Sequence, residues 1–148
     1  MTLLHASKTS VFVLVTALLL LPIAGLAKDG RDFAGYYSLT DVNEQSSQVK
    51  LTLTIQIFNY SDADIKQASL VLHQSDPGMA VEGAFPAVKV FRNQTDVRLS
   101  QEFTIPSHEY WRWQNGMTPR LMVHFMGANG IEQRRSIQLS RRPVLPTR

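Results

Sequence analysis

One short run, His108-Glu109-Tyr110-Trp111-Arg112-Trp113, concentrates most of the chemistry this chain offers. Trp and Tyr present a large apolar body with a polar edge, and Arg adds directed hydrogen bonds, so such a cluster suits a binding surface. Read as extended backbone, the run puts Trp111 and Trp113 on one face and Tyr110 and Arg112 on the other. Two indoles on one face can stack on sugar rings while Glu109 and Arg112 orient hydroxyls. The same groups also anchor protein interfaces. Against this stands a structural assignment, in which one Trp packs in the core and the other covers a sheet edge. Trp111, Trp113, Tyr110 and Arg112 are the candidate binding residues, and unpaired burial of the charges of Glu109 and Arg112 would be costly, so solvent is expected nearby.

The other reactive side chains form no comparable group. His73, His108 and His124 fall on different predicted elements, with none of the short spacings of a metal site. Asp62 and Asp64 sit in a turn without a third carboxylate or calcium-loop spacing, which suits capping better than metal binding. No nucleophile elbow and no glycosidase-like carboxylate pair is present. The expectation is no catalytic residue, no metal and no cofactor. Asn59-Tyr60-Ser61 and Asn93-Gln94-Thr95 match the N-glycosylation pattern.

The elements that would position these residues are strands. Val49, Leu51, Leu53, Ile55 and Ile57 alternate with Lys50, Thr52, Thr54 and Gln56, which is the period of a half-buried strand over Val49–Phe58. Similar patterns mark Phe33–Val42, Ile65–His73, Asp96–Ile105, Arg120–Met126 and Ile131–Leu139, with a weaker strand around Val88, Val90 and Phe91. Gln101 interrupts the apolar face of its strand. Asn59-Tyr60-Ser61-Asp62, Asp76-Pro77-Gly78, Asn115-Gly116 and Asn129-Gly130 supply turns, and Asn115-Gly116 reads as a hairpin turn. No segment shows a period of 3.6 residues. Leu51, Leu53, Ile55, Leu70, Leu99, Phe103, Leu121, Val123 and Phe125 are expected to be buried together.

Positive charge at Lys8, the apolar run Val11–Leu21, a break at Pro22 and the small residues Gly25 and Ala27 match a signal peptide cleaved between Ala27 and Lys28. The run falls short of the ~20 residues of a comfortable span. An uncleaved membrane anchor is the alternative, and no second apolar stretch approaches that length. The division expected is 1–27 signal peptide, 28–32 linker, 33–140 folded domain and 141–148 flexible basic tail. Of the 15 basic residues, Lys8 precedes the domain and Arg141, Arg142 and Arg148 follow it, so the domain itself is close to neutral against 12 acidic residues. A nucleic-acid binder needs a basic patch on its folded body, so nucleic acid is not an expected partner. The absence of cysteine excludes a disulfide framework and a thiolate metal site, and points toward a bacterial source.

The stretch Leu51-Thr52-Leu53-Thr54-Ile55-Gln56-Ile57-Phe58-Asn59-Tyr60-Ser61, followed by the strand Ile65–Leu72, resembles an element of bacterial immunoglobulin-like and fibronectin-III-like domains. The resemblance implies an all-β, immunoglobulin-like antiparallel sandwich of seven to eight strands. The antibody Cys…Trp…Cys pattern is absent, and these modules mostly bind or space. The expected function is a non-catalytic, periplasmic or secreted binding or accessory module with a protein partner. The second reading is a carbohydrate-binding module using Trp111 and Trp113, with a glycan as partner. A small enzyme is the third.

Overall fold

The computed structural model describes residues 32–75, 80–127 and 129–142. The predicted signal peptide, most of the linker, the Asp76-Pro77-Gly78 turn and the end of the tail lie outside them. Among the described residues no helix is long and apolar enough to cross a membrane.

Alternation of apolar and polar residues forms the strands. In β2 (Gln48–Asn59), Val49, Leu51, Leu53, Ile55 and Ile57 are fully buried while the Lys and Thr positions between them face outward. Isoleucine, valine and threonine suit this pleated, half-buried surface. β2 pairs antiparallel with β1 (Phe33–Glu44) and along its whole length with β6 (Thr95–Pro106). The second sheet is centred on β3 (Ile65–His73), flanked by β4 (Val81–Ala84) and β5 (Val88–Phe91) on one side and β7 (Arg120–Met126) on the other.

β8 (Glu132–Arg141) joins the sheets. Its first part pairs antiparallel with β7, and Leu139–Arg141 then run parallel to Gly35–Tyr37. At that crossing Gly35 has no room for a side chain, since a Cβ would lie 2.5 Å from Ile57 Cδ1 and 2.6 Å from Leu139 Cδ2. The strand order is β4-β3-β7-β8-β1-β2-β6, with β5 also on β3. The result is an all-β sandwich, antiparallel except at β1–β8.

Leu51, Leu53, Ile55, Leu70, Phe103, Leu121 and Val123 are buried in one core, as expected, while Leu99 and Phe125 are only partly buried against it. β6 ends the strand order, so its inward side chains have a neighbouring strand on one side only. That explains both the exposure of Leu99 and the tolerance of Gln101. β8 extends through Arg141, and Arg142 N–H donates to the Tyr37 carbonyl at 2.9 Å, so the expected tail begins as structure.

Candidate binding surface at the helical end of the sandwich

The aromatic run is helical, which corrects its reading as extended backbone. α1 spans Ser107–Gln114, with Pro106 at its N-cap in an extended conformation. Glu109 lies in the first turn and Arg112 in the last, as the helix dipole favours. Asn115-Gly116 ends the helix and does not form a hairpin. Met117 N–H donates to the Arg112 carbonyl at 3.0 Å, and Gly116 takes φ 95°, the left-handed conformation of a glycine C-cap. A glycine with positive φ serves a hairpin turn and a helix stop equally well, so the dipeptide alone could not choose.

Helical geometry separates the two indoles. Glu109, Tyr110 and Trp113 face the core, and Trp113 is 1% exposed. Its ring meets Tyr37 edge-on at 6.5 Å. Trp111 projects the other way, 51% exposed, with Tyr110 against it at 5.5 Å. The structure therefore brings Trp111 and the partly exposed Arg112 to the surface and puts Trp113 and Tyr110 beneath them. The expected flat pair of indoles does not form, because residues two apart on a helix point in nearly opposite directions.

Glu109 is fully buried. Its Oε1 accepts the Ser75 N–H at 2.7 Å, the Ser75 hydroxyl at 2.6 Å and the Trp113 indole N–H at 2.8 Å. Arg112 lies 3.8 Å from its Oε2. Oε1 is satisfied by these donors, while among the described residues the buried Oε2 has no hydrogen bond and is faced by the Arg112 guanidinium. The Oε1 bonds tie α1 to the chain leaving β3. Solvent is thus not what accommodates Glu109, contrary to expectation. Burial pushes the nearby Glu82 carboxyl up; its hydrogen bond from Gln74 opposes this, the charge of Glu109 adds to it, and His108 again opposes it. Sequence reasoning missed Ser75, Glu82 and the exposed Met117. Only the Glu109/Trp113 spacing of one helical turn hinted at this arrangement.

The remaining candidates are dispersed. His73, His108 and His124 lie on β3, α1 and β7, and His124 pairs with Glu132 at 3.1 Å. Among the described residues no group of three His, Cys, Asp or Glu is placed to hold a metal. Asp64 accepts the Asn93 N–H at 2.9 Å, a turn contact. Asp62 and Asp64 line an open cleft of about 440 Å³ at the end of the sandwich opposite α1, together with Asp32, Lys66, Phe33 and Phe125.

No protein-family model matches the chain, and no curated protein matches it. Among solved structures it is similar to the exo-β-N-acetylglucosaminidase of Vibrio harveyi in complex with N-acetylglucosamine. The identity is 18% and the TM-score 0.42, over 79% of this chain and 19% of that one. It is also similar to a Northeast Structural Genomics Consortium target at 9% identity and TM-score 0.43, over 78% of this chain and 90% of that one.

Proposed function

We propose that this chain is an exported, non-catalytic binding module of immunoglobulin-like connectivity whose partner is a protein. The strand order supports the connectivity. β6-β2-β1 and β3-β7-β8 correspond to the E-B-A and C-F-G arrangements of immunoglobulin-like sandwiches. The observation that carries the binding reading is Trp111, an exposed indole on a helix whose opposite face is fixed by Glu109 and Trp113. A rigidly held aromatic ring loses little entropy on binding, which is why such rings anchor interfaces. Arg112, Met117 and Arg141 lie at the same end, and Arg141 Nη1 donates to Gln114 Oε1 at 3.2 Å. Stacking on sugar with both indoles, the second reading, loses its support once Trp113 is in the core.

A photo-crosslinking amino acid placed at Trp111 in cells of the source organism tests the reading, with the same group at exposed Tyr60 as control. A discrete protein adduct at Trp111 and not at Tyr60 is expected. Absence of an adduct, together with Trp111-dependent binding on a glycan array, would overturn it. Export rests on the predicted cleavage after Ala27, checked by the N-terminal mass of protein recovered outside the cytoplasm.

A further inference from the structure

We infer that β6 is a self-pairing edge, through which two copies of this chain join their sheets antiparallel with Ser100 opposite Ser100. This surface is separate from the one around Trp111. Among the described residues β6 is paired on one side only, with β2. It is 12 residues long and runs in unbroken register with β2. Natural edges are usually protected by shortness, bulges, prolines or charged side chains, lysine above all. Of these β6 carries only the mixed charges Asp96, Arg98 and Glu102 within the strand. β6 has no bulge and no lysine, and its one proline is the terminal Pro106.

The ladder fixes which backbone groups are available. Ser107 N–H donates to Ser47 O at 3.0 Å, in the same register as the β2–β6 pairs. Odd-numbered positions of β6 thus point their N–H and C=O groups at β2, and Asp96, Arg98, Ser100, Glu102 and Thr104 point theirs outward. The side chains of these same residues lie on the solvent face. In the register centred on Ser100, Arg98 of each copy stands opposite Glu102 of the other, and Asp96 stands opposite Thr104. Outward N–H and C=O groups then meet in bonded pairs, and two cross-strand ion pairs form by symmetry. Moving the centre to Leu99 puts Asp96 against Glu102, and moving it to Gln101 puts Arg98 against Thr104. A centre at Val97 would also set Asp96 against Arg98, but it pairs only Thr95 to Leu99. The Ser100 register is therefore the one that joins charge complementarity to pairing along most of the strand. The acidic member is already positioned, because Lys50 on β2 holds Glu102 at 3.0 Å. Pairing would also cover the half-exposed Val97, Leu99 and Gln101.

Sedimentation velocity over a concentration series, on the chain as the expressing cell processes it, tests the inference. The wild type is expected to pass from monomer to dimer. Arg98→Glu and Glu102→Arg should each weaken the dimer by about tenfold or more, since each sets like charges opposite one another twice. The double variant should restore it. Mixing the two single variants should give a heterodimer, because both glutamates of the Arg98→Glu strand then face both arginines of the Glu102→Arg strand. Thermal midpoints confirm that each variant is folded. Should a variant unfold, hydrogen exchange on the wild type reads the same contact: the amides of Arg98, Ser100 and Glu102 should gain protection as concentration rises. A wild type monomeric up to its solubility limit, single variants that dimerise like the wild type, a mixture that stays monomeric, or protection independent of concentration would each overturn it.

Discussion

Glu109 Oε1 accepts the indole N–H of Trp113 from one helical turn away, at 2.8 Å, and through Ser75 the same oxygen binds α1 to the end of β3. One buried carboxylate, with the core packing of Trp113 and Tyr110, fixes the orientation of the helix and therefore of Trp111. Glu109→Ala leaves the Ser75 N–H and the indole N–H without their acceptor and leaves the Ser75 hydroxyl only the Thr118 carbonyl at 3.4 Å, and is expected to cost about 3–5 kcal/mol. Glu109→Gln keeps a carbonyl oxygen for them and should cost less, about 1–3 kcal/mol. A urea titration followed by tryptophan fluorescence measures both. A loss below about 1 kcal/mol for the alanine variant would show that these donors find other partners.

The two tryptophans separate in the same assay. Trp113 fills the core against Tyr37, so Trp113→Ala should cost about 3–5 kcal/mol. Trp111→Ala, at an exposed position, should change stability by less than about 0.5 kcal/mol and leave the thermal midpoint nearly unchanged. Similar large losses in both would make Trp111 structural and remove it from the proposed binding surface.

The strands were legible because their signal is local. In β2 the alternation of Ile and Leu with Thr and Lys needs no tertiary information, and Leu53, fully buried, stands where its period puts it. The helix was not legible because eight residues do not repeat a helical period enough to be seen. His108 to Trp113 reads equally as a strand until the core supplies a place for Glu109 and Trp113 on one face. Ser75 could not be found at all, since its role comes from a side chain 34 positions away. The exposure of Leu99 was illegible for a related reason: which strand ends a sheet is a property of topology.

Asn59 separates a sequence motif from a usable site. It is fully buried at the end of β2, and its amide donates to Ala63 O at 3.2 Å and Phe91 O at 3.1 Å. Its Oδ1 accepts from the Ser61 backbone N–H and hydroxyl. A glycan on that nitrogen is incompatible with these bonds. Asn93 is exposed in the turn before β6. Folded protein recovered from a host that glycosylates its secreted proteins should carry glycan at Asn93 and none at Asn59, as read by peptide mass spectrometry. Folded protein glycosylated at Asn59 would contradict the hydrogen bonds of its buried side chain. Asn59→Ala should cost about 1–3 kcal/mol through its unsatisfied carbonyl partners.

Glu82 and Glu132 should impose pH dependences of opposite sign. Burial raises the Glu82 carboxyl above its ordinary range despite the hydrogen bond from Gln74, with the negative charge of Glu109 adding and His108 opposing. The folded state therefore favours protonated Glu82. Its contribution is most favourable below the unfolded value, about 4.3, and is lost as pH rises through the raised folded value. Hydrogen bonds from His124 and Arg134, with the charge of Arg134, lower Glu132. Its contribution is present above the unfolded value and lost as pH falls through the lowered one. Glu82→Gln should raise the thermal midpoint near about pH 7 and lose that advantage near about pH 4. Glu132→Gln should lower the midpoint at neutral pH, with the difference closing in acid. Both variants remove one carboxylate and change net charge equally, so a general charge effect would move them together. Midpoints measured across that range distinguish the two. If Glu82→Gln lowered the midpoint at neutral pH, the hydrogen bond from Gln74 would outweigh burial, and the sign assigned to Glu82 would be reversed.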